Sequence, residues 1–420
     1  MQLELFSVGT ELLLGEILDT NAAYLADKLS ELGINVFYKT TVGDNIARLA
    51  AALTIALQRA DTVLATGGLG PTQDDITAAA IADVTGLPLE EDPASADHIR
   101  DVVRQRGHRW LDSLLKQARL PRGAIAVPNP VGTAPGFILR TDDKAIIALP
   151  GPPSEMKPMF EGVVYPYLAE QVAGQGGAVL VSRILRFTGI GESQIEAELH
   201  DLISAQTNPT IAPLAKPAEV HIRIAARASD RAAANRAIAP IEAEIRNRLG
   251  DHIYGADADT LESVVGGLLR QAGNTLAVAE SCTGGLLGHR LTNIPGSSDY
   301  FLGSLVTYSN QAKTNLLGVP AETINAHGAV SAETAEAMAE GARRVCGADL
   351  GLSVTGIAGP TGGTPQKPVG LTYLGLAHSG GAFAEERRLS GDRLLIKERA
   401  AHMALYLLYR HLTGRPGGAS

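Results

Sequence analysis

The sequence predicts an α/β protein with several domains, the first of which contains a doubly wound sheet. Its 420 residues exceed what one hydrophobic core usually fills. Hydrophobic residues make up 45% of the chain and charged residues 19%, an ordinary balance for a globular protein. Over residues 1–173, short apolar strand patterns alternate with amphipathic helix patterns, which is typical of a parallel sheet covered by helices on both faces.

Composition excludes several functional classes. The 36 basic and 45 acidic residues give a formal net charge of −9, which does not favour binding to a nucleic-acid backbone. Two cysteines are too few for a disulfide framework or a four-thiolate zinc site. Neither a membrane-spanning apolar run nor a secretory signal is present. We therefore expect a cytoplasmic protein with neither nucleic-acid nor membrane partners.

In the first domain, 1–173, strands and helices follow each other in a regular order. Asp19 precedes a helix that ends at Gly33, and Asp44 is the expected N-cap of the next helix. We predict strands over 3–8, 36–42, 62–66, 136–139 and 145–149, with later helices over 76–84 and 154–173.

Two further domains are predicted after a linker at 174–177. A small α+β module fills 174–254, and an α/β domain fills 255–414, followed by a mobile tail at 415–420. The module has predicted strands over 179–187 and 219–226 and helices over 192–203 and 232–249. In the last domain, strands are predicted over 275–279, 350–354 and 369–376, and helices after Thr260, around Leu287 and Leu291, after Ser331 and over 394–412.

The turn that begins at Ser281 is a suitable place for a nucleophile. A strand ends there, a glycine-rich turn follows, and a helix N-terminus offers N–H groups that could hold an oxyanion. A serine needs a base, and the candidates are His289, His327 and Lys313. Lys313 would have to be desolvated, and the alternative is an ordinary solvated lysine. Cys282 is a rival nucleophile or else a small buried apolar residue.

These residues resemble the nicotinamide mononucleotide deamidase domain of the CinA family. The resemblance covers about 257–412 and rests on the ordered motifs AESCTGG (279–285), PGSS (295–298), YSNQAK (308–313), HGAVS (327–331) and VTGIAGP (354–360). It implies hydrolysis of the substrate carboxamide to nicotinate mononucleotide and ammonia, without a cofactor. Ser281 is then the nucleophile and Lys313 its base, while Tyr308 and Thr355 position the substrate.

The same resemblance implies a substrate-binding set around that pair. Arg393, in the segment Gly391-Asp392-Arg393, is expected to bind the phosphate. The glycine-rich loop at 356–363 is suited to hold a phosphate through its N–H groups, although a flexible surface loop is the alternative. The further expected contacts are Cys282, Thr283, Gly284, Gly285, Gly356, Ala358 and Gly359.

A second candidate site lies in the first domain, where the segment TGGLGPTQDD (66–75) follows a strand. Its glycines Gly67, Gly68 and Gly70, with Thr72, would allow an anionic ligand to approach the backbone. Two adjacent carboxylates, Asp74 and Asp75, suit a divalent cation between protein and phosphate, and the alternative is that they cap the next helix. Glu11 follows another strand, and strand ends of this kind meet at one sheet edge.

This domain resembles the molybdopterin-binding fold, of the MogA and MoeA type, found at the front of CinA proteins. The supporting motifs are DTN (19–21), VGDN (42–45), NPVGTAPG (129–136) and LPGPPSEM (149–156). The resemblance implies metal-dependent ADP-ribose pyrophosphatase activity, with Mg, Mn or Co held by Asp74, Asp75 and Glu11, and Asp44 as a further binding residue. It also implies a KH-like or ferredoxin-like middle module and a homodimer.

Two other functions stay open at this point. The first domain could bind only a pterin or a nucleotide beside a working deamidase, because the same fold serves several activities. The protein could also be an adaptor in competence or DNA damage. The favoured hypothesis is a bifunctional hydrolase in pyridine-nucleotide recycling, whose substrates are nicotinamide mononucleotide and ADP-ribose.

Overall fold

The computed structural model describes residues 1–107, 109–141, 143–174 and 179–415. Contacts divide the chain into two compact units, one of Met1–Ser182 with Ala226–Ala237 and one of Arg183–Ala225 with the chain from Ile238 onward. Apart from their first residues, the predicted linker (174–177) and tail (415–420) lie outside the described residues.

The first domain alternates strands and helices in the predicted order. Its strands are β1 Gln2–Val8, β2 Asn35–Val42, β3 Thr62–Thr66, β4 Leu89–Glu91, β5 Arg119–Pro121, β6 Ile125–Val127, β7 Gly136–Arg140 and β8 Ala145–Leu149. Its helices are α1 Thr10–Leu13, α2 Thr20–Glu31, α3 Ile46–Arg59, α4 Thr77–Thr85, α5 Pro93–Gln105, α6 Pro153–Met159 and α7 Tyr165–Gly174.

The main sheet has the order β2-β1-β3-β8-β7-β6. The strands β2, β1, β3 and β8 are parallel, whereas β7 pairs antiparallel with both β8 and β6. The sheet is therefore mixed, and only its first four strands form the parallel sheet that the sequence predicts. Alternate residues of β1 enter different cores: Phe6 packs with Leu53 of α3, and Leu5 packs with Leu25 of α2. Helices therefore cover both faces, as a doubly wound domain requires.

One local prediction and one alternative in this domain were wrong, and one predicted helix differs in detail. Asn45, not Asp44, caps α3 by accepting a hydrogen bond from the N–H of Arg48. The residue that precedes α4 is Ile76, so neither Asp74 nor Asp75 caps that helix. The helix expected over 154–173 is interrupted by a π-helical turn at Phe160–Val164, which separates α6 from α7.

The middle module is a four-stranded sheet with three helices. Its strands are β9 Val179–Phe187, β10 Thr210–Ala215, β11 Val220–Ala228 and β12 Ile253–Ala256, in the order β10-β11-β9-β12. Its helices are α8 Glu192–Glu198, α9 His200–Ala205 and α10 Arg231–Leu249. Strand β10 was not predicted, and the single helix expected over 192–203 is divided into α8 and α9.

The last domain has a five-stranded sheet in the order β14-β13-β15-β16-β17. Its strands are β13 Leu276–Glu280, β14 Phe301–Val306, β15 Leu350–Gly356, β16 Leu371–His378 and β17 Gly381–Arg388. Its helices are α11 Leu261–Ala272, α12 Leu286–Thr292, α13 Asn310–Leu317, α14 Ala321–His327, α15 Ala332–Cys346 and α16 Arg393–Thr413. Strands β14, β13 and β15 are parallel, and the other two pairings are antiparallel.

Glycines allow α15 to lie very close to this sheet. A Cβ at Gly351 would be 2.0 Å from the carbonyl oxygen of Ala339, and one at Gly375 would be 2.4 Å from that of Ala335. Both carbonyls belong to α15, so neither strand could accept a side chain without moving the helix. Close packing here fixes β15, which leads into the candidate site of this domain.

Among the described residues, no helix combines the length and the apolar character that crossing a membrane would need.

We expect Gly375→Ala to destabilise the protein by about 1–3 kcal/mol, because the added methyl group overpacks the contact between α15 and the sheet. Gly267→Ala is the matched control, since nothing lies within 4 Å of the Cβ position of this α11 glycine. Alanine favours a helix interior, so the control should be neutral or slightly stabilising. Urea unfolding measures both effects, and equal stability of the two variants would contradict this account of the packing.

Candidate active sites

In the last domain, the candidate catalytic residues lie at the carboxyl ends of neighbouring parallel strands. Ser281 follows β13, and Thr355 lies near the end of β15. The N–H of Ser281 donates a hydrogen bond of 2.9 Å to the carbonyl of Val354, which ties the serine turn to the adjacent strand. Rigid strand ends thus hold both side chains at the sheet edge where ligands of α/β proteins usually bind.

Lys313 and Ser281 form a buried pair. The Lys313 Nζ lies 3.0 Å from the Ser281 Oγ and donates a 2.8 Å hydrogen bond to the carbonyl of Thr307. Lys313 is 1% exposed and Ser281 8% exposed. The lysine is in α13, whose N-cap Ser309 accepts a hydrogen bond from the N–H of Ala312. The alternative of a solvated surface lysine is therefore wrong.

Burial is the main influence on the charge of Lys313. It lowers the pKa of the Lys313 ammonium from the ordinary value of 10.5, because the charged form loses its hydration. A larger fraction of the amine is then neutral near physiological pH, and only a neutral amine can accept the serine proton.

The same burial makes Cys282 a poor nucleophile. Its side chain lies among core residues, and desolvation raises the pKa of the Cys282 thiol to about 12. The thiolate, which is the reactive form, is thus scarce at neutral pH. Of the two interpretations of this cysteine, the structure favours a buried apolar residue.

Glu280, which was not predicted as a site residue, organises the serine turn. Its fully buried carboxylate accepts hydrogen bonds from the N–H groups of Gly285 (3.0 Å), Leu287 (3.0 Å) and Gly288 (2.8 Å), and from the Ser304 hydroxyl (2.9 Å). The amides at the start of α12 are therefore already occupied. A glutamate just before a glycine-rich helix start was the available signal, since carboxylates bind such N–H groups well.

Two N–H groups of the turn stay available. In the part of the chain that the structure describes, the backbone N–H groups of Cys282 and Thr283 donate to no protein acceptor. Both directly follow the candidate nucleophile Ser281, which is a common position for oxyanion-binding amides. The side chain of Thr283 is fully buried, and its hydroxyl has no partner among the described residues.

Opposite the pair lies a group of polar side chains. Arg393 begins α16 and donates to the carbonyl of Gly359 (2.7 Å) and to the Tyr308 hydroxyl (3.2 Å). The Thr355 hydroxyl donates to the carbonyl of Ala329 (2.7 Å). The cavity at this place has a volume of about 200 Å³ and is lined by Ser281, Cys282, Tyr308, Lys313, Ala329, Val330, Thr355, Gly356, Ala358 and Arg393.

Most predicted residues of this site therefore come together. Thr283, Gly284, Gly285 and Gly359 do not line the cavity and belong to its supporting turns. The two histidine candidates lie elsewhere: His289 contacts Asn293, and His327 pairs with Glu333. Ala329 and Val330, which belong to the HGAVS motif but were not predicted as site residues, also line the cavity.

The first domain has a larger cavity, here called the front cleft, of about 450 Å³. It lies at the carboxyl ends of β1, β3 and β8 and is lined by Val8, Gly9, Glu11, Asp44, Gly67, Gly68, Leu69, Gly70, Pro71, Asp74, Asp75, Gln117, Thr133, Ala134, Pro150, Gly151, Pro152 and Glu155. A Cβ at Gly67 would be 2.2 Å from the carbonyl oxygen of Val8, so only glycine fits this approach of the two strand ends. Thr72 is not among the lining residues.

The four predicted carboxylates of the front cleft differ in their contacts. Asp75 accepts hydrogen bonds from the N–H (2.8 Å) and hydroxyl (2.7 Å) of Thr72. Asp44 accepts from the N–H (2.9 Å) and hydroxyl (2.8 Å) of Thr10. Glu11 and Asp74 have no hydrogen-bond partner among the described residues, which leaves their oxygens to a ligand.

No three His, Cys, Asp or Glu side chains of the described residues are grouped closely enough to hold a metal ion by themselves. Glu11 and Asp74 nevertheless fit Mg²⁺, which usually binds one or two protein carboxylates and takes its other ligands from water and substrate phosphates. The residues thus suit an ion that arrives with a phosphate ligand.

Comparison with protein families assigns a model to each domain. The CinA C-terminal domain matches residues 258–412, a probable molybdopterin binding domain matches 4–170, and the damage-inducible protein CinA KH domain matches 182–255. The expected α/β architecture, with a molybdopterin-binding-like front domain, a KH-like middle module and a CinA domain, is confirmed.

Two relatives match this chain over nearly its whole length, and a solved structure matches part of it. A protein of Symbiobacterium thermophilum, named as competence-damage inducible, is 53% identical over 98% of this chain and 99% of its own length. A CinA-like protein of Dictyoglomus thermophilum is 50% identical over the same shares. The solved structure of CinA from Thermoplasma acidophilum is 34% identical and covers 39% of this chain and 96% of its own, with a TM-score of 0.37. The chain belongs to the CinA family.

Proposed function

We propose that the last domain hydrolyses the carboxamide of nicotinamide mononucleotide to nicotinate mononucleotide and ammonia. The observation that supports the proposal best is the buried Lys313 Nζ, 3.0 Å from the Ser281 Oγ. A serine beside a desolvated amine is a nucleophile with its own base, and amide hydrolysis needs both.

The reaction begins when the neutral amine of Lys313 takes the proton of the Ser281 hydroxyl. The serine oxygen forms a bond to the carboxamide carbon, and the carbonyl oxygen becomes an oxyanion. The N–H group of Cys282, which lines the cavity and has no acceptor among the described residues, would bind that oxyanion. The Thr307 carbonyl keeps the lysine directed at the serine.

The intermediate then breaks its carbon–nitrogen bond. Lys313, now an ammonium, gives its proton to the leaving nitrogen, and ammonia departs from a nicotinoyl ester of Ser281. A water molecule, deprotonated by the same amine, attacks that ester, and the lysine ammonium returns the proton to the departing serine oxygen, which releases the carboxylate and the free serine. Arg393 and Tyr308, on the opposite wall, would hold the nucleotide phosphate.

We further propose that the front cleft cleaves the pyrophosphate of ADP-ribose with a divalent cation. Support comes from the glycine loop at the strand ends and from the carboxylates of Glu11 and Asp74, for which the described part of the chain offers no hydrogen-bond partner. A bound Mg, Mn or Co ion would neutralise phosphate charge and activate water. Glu11 and Asp74 would hold the ion, and the glycine loop would admit the phosphates.

The open alternatives predict different biochemistry. A front domain that only binds a pterin or nucleotide would release no AMP from ADP-ribose. An adaptor in competence or DNA damage would lack both reactions. Purified protein with each substrate, with and without chelator, separates these possibilities, and we expect only the ADP-ribose reaction to need the metal.

Ser281→Ala should reduce ammonia release from nicotinamide mononucleotide by at least about 1,000-fold, since a serine nucleophile has no local substitute. Release of AMP from ADP-ribose should continue at the wild-type rate in this variant. Cys282→Ala should keep its deamidase activity, because the buried thiol is not the nucleophile. Deamidation by Ser281→Ala would refute the assignment.

Deamidase activity should rise with pH, because protonated Lys313 cannot take the serine proton. Burial lowers the Lys313 pKa, so the midpoint of kcat/KM should lie below the ordinary lysine value of 10.5. At pH values between the lowered pKa of Lys313 in the folded chain and its ordinary pKa in the unfolded chain, the unfolded chain binds one more proton. The contribution of Lys313 to the free energy of unfolding therefore also rises with pH. A pH–rate profile with its midpoint at or above that value would contradict the base assignment.

Asp74→Asn and Glu11→Gln should each lower AMP release from ADP-ribose by at least about tenfold, since each removes a charged oxygen from a cation site. The matched control is Asp101→Asn on α5, whose carboxylate pairs with Arg104 outside the cleft. Deamidase activity, measured on the same preparations, should not change. Full pyrophosphatase activity in both cleft variants would show that the metal is held elsewhere.

A further inference from the structure

A further cavity, here called the α16 cavity, lies between the middle module and the last domain. Its volume of about 600 Å³ exceeds that of either candidate site and is typical of pockets that bind small molecules. The loop at 189–192 and the turn at 215–220 form one side, and the end of β17 with α16 forms the other. All of these residues belong to the second compact unit.

Direct contacts hold the two sides of the α16 cavity together. The Nε of Arg399, on α16, donates a 2.7 Å hydrogen bond to the carbonyl of Pro217 in the middle module. A Cβ at Gly189 would be 2.5 Å from the hydroxyl oxygen of Tyr406, so only glycine allows α16 to approach this loop so closely. The cavity is therefore a defined space of the folded chain.

Four basic side chains line the cavity, and two of them have no carboxylate partner. Arg387 and Arg388 form ion pairs with glutamates of their own strand, β17. Among the described residues, Lys216 and Arg399 form no ion pair, and the Lys216 ammonium donates no hydrogen bond. The Nη1 of Arg399 donates to the carbonyl and hydroxyl of Ser390, whereas its Nη2 is unbonded. Because Arg399 also bonds to the residue next to Lys216, both cations belong to the same part of the cavity.

Two acidic residues also line the cavity, but neither pairs with these cations. Glu219 is bonded to the His221 ring and to the Tyr254 hydroxyl. Burial by itself raises the pKa of Glu219, but the hydrogen bonds with His221 and Tyr254 outweigh it and lower the pKa to about 2. Glu192 is exposed and forms no ion pair with a described residue. Two positive charges thus line the cavity without a paired carboxylate.

The other walls of the cavity indicate what kind of anion fits. Tyr406 is 5% exposed, and its hydroxyl bonds to no described residue but is not completely enclosed, so it can donate to a ligand. Two cations and a hydroxyl suit a group with two negative charges and several acceptor oxygens, which describes a phosphate monoester better than a carboxylate. The apolar side chains of Ile190, Leu389 and Met403 suit an organic group attached to that phosphate.

We propose that the α16 cavity is a binding site for a phosphate monoester with an apolar organic group. The Lys216 ammonium and the Nη2 of Arg399 bind the phosphate, and the apolar wall contacts the organic group. This site shares no lining residue with the cavity at Ser281 or with the front cleft. The inference therefore stands or falls independently of both proposed reactions.

Calorimetry with phenyl phosphate, which joins a phosphate to an apolar ring, tests the site. Lys216→Gln and Arg399→Gln should each weaken its binding by at least about tenfold, since each removes one of the two cations. The matched control is Arg246→Gln, which removes an arginine of α10 that pairs with Glu242 outside the cavity, and its affinity should equal that of the wild type. Arg393→Gln should also keep the wild-type affinity, and a tenfold loss in that variant would place the phosphate in the cavity at Ser281 instead.

Related probes separate the parts of the ligand. Benzoate, with one negative charge, and phenol, with none, should bind at least about tenfold more weakly than phenyl phosphate. Inorganic phosphate should also bind more weakly, because it buries no apolar surface. Equal affinity for benzoate and phenyl phosphate would overturn the choice of a phosphate, and equal affinity for inorganic phosphate would overturn the organic group.

Lys216→Gln is the decisive variant because it should fold normally. The Lys216 side chain is exposed and bonds to no described residue, so urea unfolding should show wild-type stability. Wild-type affinity for phenyl phosphate in this variant would overturn the proposal. Failure of the wild-type protein to bind phenyl phosphate at millimolar concentration would overturn it as well.

Discussion

The removal of one lysine amine from water is the constraint on which the last domain depends. Lys313 is almost fully buried, and among the described residues its Nζ forms hydrogen bonds only with the Ser281 hydroxyl and the Thr307 carbonyl. No carboxylate in that part of the chain pairs with it, so burial lowers the Lys313 pKa without opposition from an ion pair. A salt bridge at the same place would stabilise the ammonium and leave Ser281 without a base.

Burying this amine requires rigid surroundings, and Glu280 supplies much of that rigidity. Three backbone N–H groups and one hydroxyl donate to its carboxylate, so this side chain can stay buried at the end of β13. These hydrogen bonds fix the start of α12 and do not use the N–H groups of Cys282 and Thr283. The buried carboxylate is thus satisfied by backbone groups rather than by an ion pair with Lys313.

Local signals in the sequence predicted most of the fold. Apolar strand patterns and capping residues such as Thr260 and Ser331 were sufficient for the main elements. Strands β10 and β17 were missed because they are largely exposed edge strands, formed by antiparallel pairing rather than by an apolar pattern. Ser281 and Lys313 could be singled out from residue type and motif, but their contact could not, because 32 residues separate them. For Glu280 the local signal was its place just before a glycine-rich helix start, but its burial and its partners are properties of the folded chain.

The two candidate sites use the same topology for different chemistry. Each lies at the carboxyl ends of parallel strands, beside a glycine-rich turn that admits a ligand to the backbone. In the last domain, a buried amine can generate the nucleophile from the side chains already present. Among the described residues of the first domain, Glu11 and Asp74 have no hydrogen-bond partner, and no three metal-binding side chains meet. The reaction proposed for that cleft therefore depends on a cation that a ligand brings, whereas the reaction proposed for the last domain uses side chains already in place.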